Sequence, residues 1–153
     1  MGSEQLAGYQ LSVNNYMLPG YAGALSMKII AHGIDLVDFE RIEQMLAKHP
    51  KRFADRVFTD AEQADADRVK NRIEKLAGRF AAKEAVMKLI GTGWRDGIAW
   101  TDIEVVNNAL GQPIVTVSGK VKELADEKGI EQITLSITHT ANFAIASAVA
   151  LQG

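Results

Sequence analysis

The stretch Gly78-Arg79-Phe80-Ala81-Ala82-Lys83-Glu84-Ala85-Val86-Met87-Lys88-Leu89-Ile90-Gly91-Thr92-Gly93 decides the fold. Ala, Lys, Glu, Met and Leu are strong helix formers, and Gly91 stands where a left-handed C-terminal cap would end the run. The pattern predicts a long helix from Arg72 to Gly91, with Ile73, Ala77, Phe80, Met87 and Gly91 on one apolar face. At 100° per residue, Glu84 falls in the middle of that face. A carboxylate on a stripe meant for burial is costly unless a cation or donors satisfy it. Lys88, one turn on, would do so as an ordinary i,i+4 partner. The sharper reading makes Glu84 a metal ligand, with Arg79, Lys83 and Lys88 gathered for phosphate.

Working outward, the 153 residues are 47% apolar, enough for one domain with one core. There are no cysteines, which removes disulfides, zinc–thiolate sites and thiol chemistry and fits a cytoplasmic protein. A formal net charge of −2 gives no bulk attraction to nucleic acid or membrane. The longest apolar run, Phe143 to Leu151, is far short of the roughly 20 residues of a membrane helix. Residues 1–26 lack Lys and Arg and show no sustained periodicity, so they read as a leader or tail outside the core, with Met27 a candidate start.

Lys28 to Val37 is apolar and β-branched, the pattern of a largely buried strand. Asp35 interrupts it. Asp38 is the better cap for the helix predicted over Phe39 to Lys48, which leaves Asp35 as a second carboxylate in an apolar setting. Arg41, Lys48, His49, Lys51, Arg52 and Arg56 form a basic cluster on a slightly acidic chain. It is either a solvated face or a docking surface for an acidic partner. Thr59-Asp60-Ala61-Glu62 matches a capping box, placing a short helix at Asp60. Ile98 to Val106 and Pro113 to Val117 read as strands around a turn at Asn107–Gly111. Lys120 to Lys128 reads as a helix stopped by Gly129. Ile133 to Thr138 and Phe143 to Leu151 read as strands joined by His139-Thr140-Ala141-Asn142. The fold class is α+β, a mostly antiparallel sheet packed on a long central helix.

Gly91-Thr92-Gly93 would allow close approach of a nucleotide, though a helix stop explains Gly91 equally well. His139 is either structural or a phosphate contact. No histidine pair has metal spacing, so a metal here would be oxygen-bound, and two carboxylates with phosphate oxygens and water suit Mg²⁺. The residues alone therefore lead to a Mg²⁺-assisted site for a phosphorylated ligand.

Gly33-Ile34-Asp35 with Arg41-Ile42, then Ala77 to Ala85 with Lys88 and Gly91-Thr92-Gly93, then Leu135-Ser136-Ile137-Thr138-His139-Thr140, together resemble the bacterial holo-acyl-carrier-protein synthases. The likeness runs in order from Lys28 to about Leu151 and leaves out residues 1–26. It implies a single 4'-phosphopantetheinyl transferase-like domain over residues 27–153. The implied activity moves the 4'-phosphopantetheine arm of coenzyme A onto a serine of apo-acyl carrier protein, releasing adenosine 3',5'-bisphosphate, for fatty acid biosynthesis. By motif, Asp35 and Glu84 hold Mg²⁺, and Lys88 adds charge to the diphosphate. Arg79, Lys83, Thr138 and His139 contact coenzyme A, with Gly91, Thr92 and Gly93 lining its nucleotide. The serine proton goes to Glu84 or a metal-bound water. Arg41, Lys51, Arg52 and Arg56 become docking charges for an acidic carrier protein. The resemblance further implies a homotrimer with sites shared between subunits. A non-catalytic binder of coenzyme A or carrier protein, and a longer-type relative serving peptide or polyketide synthases, are the competing readings. The first would have no reason to keep costly carboxylates, and the second would need about twice this length.

Overall fold

The structure, a computed structural model, describes residues 27–93, 95 and 97–153. The expected leader, residues 1–26, lies outside the described residues.

Strand β1 (Lys28–Asp38) leads directly into helix α1 (Phe39–Lys48), because the Asp38 side chain accepts from the Glu40 backbone N–H and caps it. Helix α2 (Pro50–Val57) follows, with Pro50 in the first turn where its missing N–H is not needed. Helix α3 (Asp60–Asp67) opens on the capping box of Thr59 and Glu62. Helix α4 (Arg72–Ile90) is the long central helix, closed by Gly91 at φ 81°. A 3₁₀ turn (Trp100–Asp102) precedes the hairpin β2 (Ile103–Asn107) and β3 (Pro113–Val117). Helix α5 (Gly119–Glu127), β4 (Gln132–His139) and β5 (Phe143–Gln152) complete the chain.

The architecture is α+β. A three-stranded antiparallel sheet in the order β1-β5-β4 covers α4, and β2-β3 forms a separate two-stranded sheet. Close approach of α4 to the sheet follows from small side chains on both surfaces. Every inward position of β5 from Ala144 to Ala150 is alanine, facing Ala77, Ala81, Ala82 and Ala85 of α4, all buried. Gly33 on β1 takes this to its limit, since a Cβ there would stand 2.0 Å from the Ala85 carbonyl oxygen.

On the other side of α4, Phe53, Phe58, Phe80 and Trp100 make an aromatic cluster, with the Phe80–Trp100 centroids 4.7 Å apart. The helix is therefore enclosed on nearly all sides from Leu76 to Ile90. Glu84 is not in the middle of a buried face, as the sequence pattern predicts. It is half-buried, and with exposed Lys88 it marks the strip where α4 reaches solvent. A helix buried this widely has no single apolar stripe, so one-face arithmetic misplaced the carboxylate.

Two other local readings change. The segment Pro50–Val57, read only as a basic cluster, is a helix. The strand expected from Ile98 begins only at Ile103, because Trp100–Asp102 turns inward first.

Candidate active site

Asp35 lies on the inward side of β1, and its carboxylate receives Lys88 Nζ at 2.7 Å. The same ammonium donates to the Ile34 carbonyl at 3.0 Å. Gly33 makes this meeting possible by letting β1 sit against Ala85 and Leu89, immediately beside Lys88. Glu84 is one turn back on the same helix. The motif carboxylates thus come from one strand and one helix, with Lys88 between those two elements.

Glu84 faces a groove of about 590 Å³ that is walled by Arg41 and Met45 of α1, Arg52 and Arg56 of α2, and Phe80 and Trp100. Arg41 is held there by its guanidinium, 5.4 Å from the Phe80 ring centroid. Three of the four expected docking cations line this groove. Lys51 is exposed on α2 but does not line it.

A second cavity, about 320 Å³, brings Arg79 and His139 together with Glu74, Lys75 and Asn107. The Arg79 guanidinium donates to Asp65 at 3.2 Å and to the Asn107 side chain. Its Nε is buried without a protein partner. Burial draws the Arg79 pKa down while Asp65 opposes this, and the guanidinium stays charged. Burial pushes the Asp65 carboxyl up, but bonds from Lys75 and Arg79 outweigh it and hold the carboxyl below its usual range. His139 Nε2 sits 3.2 Å from a Glu74 carboxylate oxygen. Thr138, one residue away, is on the outer face of the sheet opposite Ile145 and does not line this cavity.

Lys83 requires a correction. Its side chain is 0% exposed, and Nζ is used up by Glu62 at 2.7 Å, the Val57 carbonyl at 2.8 Å and the Trp100 carbonyl at 3.1 Å. An ammonium has three donors, all three are committed, and none faces solvent. Lys83 is therefore not a coenzyme contact. Desolvation draws the Lys83 pKa down and the Glu62 pKa up, each opposed by the charge of the other. Gly91 and Gly93 have positive φ and open space where a Cβ would stand, and the Thr92 hydroxyl is buried without a partner.

Three residues of these networks escape sequence reading: Asp65, Asn107, and Glu62 beyond its capping role. Glu62 was visible as a cap, but nothing local signals that its carboxylate is wholly buried. Asp65 and Asn107 meet Arg79 across 14 and 28 residues of chain.

No helix among the described residues is long and apolar enough to cross a membrane. The family model described as 4'-phosphopantetheinyl transferase superfamily matches residues 31–147. The chain is 46% identical over 121 residues to a holo-[acyl-carrier-protein] synthase of Caldanaerobacter subterraneus, covering 79% of this chain and 94% of that protein. It is 41% identical to the enzyme of the same name from Solibacter usitatus, with 79% and 97% covered. Among solved structures, it resembles holo-[acyl-carrier-protein] synthase from Neisseria meningitidis with a TM-score of 0.74 at 32% identity, covering 80% of this chain and 98% of that one. The Helicobacter pylori enzyme in complex with coenzyme A gives a TM-score of 0.69 at 31% identity, covering 78% and 98%. With the fold, the motif residues and these relatives in agreement, the chain belongs to the 4'-phosphopantetheinyl transferase superfamily.

Proposed function

We propose that this chain transfers the 4'-phosphopantetheine arm of coenzyme A to a serine of apo-acyl carrier protein, releasing adenosine 3',5'-bisphosphate, in the cytoplasm and in support of fatty acid biosynthesis. The observation that carries this is the meeting of Asp35 with Lys88, one turn from Glu84, beside a groove rimmed by arginines. On this reading the transferase domain is residues 27–153, and residues 1–26 are a leader outside it.

Mg²⁺ fits the donor set. Both carboxylates are half-buried oxygen donors, one from β1 and one from α4. Two protein oxygens leave room for phosphate oxygens and water, which is how Mg²⁺ is commonly held. Asp35 and Glu84 would hold the ion, which when bound would neutralise diphosphate charge and polarise the attacked phosphorus.

The chain's own groups do the rest. Lys88 Nζ, already held between Asp35 and the Ile34 carbonyl, orients and neutralises the diphosphate. The serine oxygen attacks the phosphorus that carries pantetheine. The bond from that phosphorus to the bridging oxygen breaks, and adenosine 3',5'-bisphosphate leaves with the oxygen. On this reading Glu84, open to the groove through which the carrier approaches, takes the serine proton. Arg79 and His139 grip the 3'-phosphate end from the second cavity, where Arg79 Nε has no protein partner. Gly91, Thr92 and Gly93 line the nucleotide. Arg41, Lys51, Arg52 and Arg56 steer the acidic carrier to the groove.

The two ends of this site also support a homotrimer with shared sites. Asp35 and His139 stand on β1 and β4 with β5 between them. Their partners, Lys88 and Glu74, are 14 residues apart on α4, about 21 Å of helix axis. One coenzyme bridging both ends is better served by Asp35 of one subunit and His139 of another. The outer sheet face offers the contact surface, with Ile34 54%, Leu36 55% and Phe143 37% exposed.

The test is Glu84→Gln in a transfer assay with purified apo-carrier, coenzyme A and Mg²⁺. Loss of Mg²⁺-dependent turnover with the fold intact is expected. Near-normal turnover would remove Glu84 from the metal and proton roles.

A further inference from the structure

The Lys83–Glu62 pair is too deep to meet a substrate, yet the groove is built around it. Lys83 Nζ holds the carbonyls of Val57 and Trp100, and both residues line the groove that Glu84 faces. Val57 ends α2, the helix that carries Arg52 and Arg56. Glu62 accepts from the backbone N–H of Thr59 at 2.8 Å, where α3 begins, and from the N–H of Val105 at 2.8 Å on β2. Thr59 in turn donates its hydroxyl to Glu104 at 2.7 Å. Both ionised side chains are 0% exposed and fully bonded. One ion pair therefore joins the end of α2, the start of α3, the Trp100 turn and β2 to α4, at the residue next to Glu84.

Hydrophobic packing alone would not need this arrangement. Similarly sized apolar side chains often fill such a space at equal or lower cost, and in some proteins a buried polar or ionic group serves to fix one geometry among several. Here the geometry fixed is the distance from Glu84 to the two walls of the groove. Misplacement of reacting groups by about 1 Å can cost about a hundredfold in rate.

We propose that Lys83 and Glu62 are positioning residues for carrier-protein use: without touching substrate, they hold Val57 and Trp100 so that a carrier seated on the arginines of α1 and α2 presents its serine to Glu84. This rests on the transferase reading above. It assigns the lysine beside the motif glutamate to the groove walls and separates it from coenzyme A.

The test compares wild type with Lys83→Met, Glu62→Gln and the double variant, using steady-state transfer to an apo-acyl carrier protein and urea unfolding at matched protomer concentration. Each single change strands a buried partner and is expected to lower the unfolding midpoint. The double variant leaves neither partner of the pair charged and is expected to regain part of that midpoint. Its kcat/KM for carrier should nonetheless stay about tenfold or more below wild type, with the KM for coenzyme A within about twofold. Wild-type kcat/KM for carrier in the folded double variant would overturn the proposal. A KM for coenzyme A that rises more than that for carrier would also overturn it, by making Lys83 a coenzyme contact.

If wild type itself transfers nothing, the transferase reading fails, and emission of Trp100 in a Trp94→Phe background decides the positioning claim separately. A red shift in the double variant would show that the wall has moved. Unchanged emission would refute the clamp.

Discussion

Replacing Gly33 by alanine tests how the strand and the central helix build the site. The added Cβ would stand 2.0 Å from the Ala85 carbonyl oxygen and 2.8 Å from the Leu89 backbone nitrogen. An ordinary contact is about 3.5 Å, so β1 and α4 must separate by roughly 1 to 1.5 Å. Both obstructing atoms are main chain and cannot rotate away. Overpacking of this kind costs about 1–3 kcal/mol, and the backbone clash places Gly33→Ala at the upper end. The same separation stretches the 2.7 Å bond from Lys88 to Asp35 toward 4 Å, beyond hydrogen-bond reach, at a further cost of about 1 kcal/mol. The expected loss is about 3–4 kcal/mol in urea unfolding, measured at equal protomer concentration because self-association would add to stability. Turnover should fall with it, since Asp35, the carboxylate we propose as a metal ligand, stands on the shifted strand. A loss under about 0.5 kcal/mol with unchanged turnover would refute both the close approach and its role in presenting Asp35.

Reversing Arg41 and Arg52 to glutamate should raise the KM for carrier protein about tenfold or more while leaving that for coenzyme A nearly unchanged. Equal effects on both substrates would count against docking in the groove. Lys83→Met alone leaves the Glu62 carboxylate buried without its cation and should cost about 3–5 kcal/mol by chemical denaturation. A cost below 1 kcal/mol would mean the pair is not held as described. Asp65 has a folded pKa below the usual aspartate value of 3.8, so its bonds to Lys75 and Arg79 stabilise fully above about pH 4. That contribution disappears as pH falls through the lower folded value. Asp65→Asn should therefore flatten the acid decline of stability, and an unaltered acid limb would show the carboxylate contributes little.

Local chemistry explains what was legible in the sequence. Asp38, the Thr59–Glu62 box and Gly91 each fix one helix end through bonds within a few residues, so the pattern places those ends well. Asp35 and Glu84 stood out because carboxylates in apolar runs need a reason. Helix α2 stayed hidden because only Phe53, Ala54 and Val57 of its eight residues are buried, too few to show a period. Lys83 was misread because its partners lie on other elements. A lysine in a helical motif looks the same whether it faces phosphate or a buried glutamate, and only tertiary packing separates the two. Thr138 shows the complementary limit: strand alternation sends it to the outer sheet face, away from the cavity of its neighbour His139.

The central claim is phosphopantetheine transfer, and the intact mass of a purified apo-acyl carrier protein tests it most directly. The carrier is incubated with this protein, coenzyme A and Mg²⁺, beside a matched sample containing EDTA. The account predicts that the carrier gains the mass of one phosphopantetheine arm and that chelation abolishes the gain. An unmodified carrier across several acyl carrier proteins, with coenzyme A still bound, would contradict it and leave a binder that does not turn over.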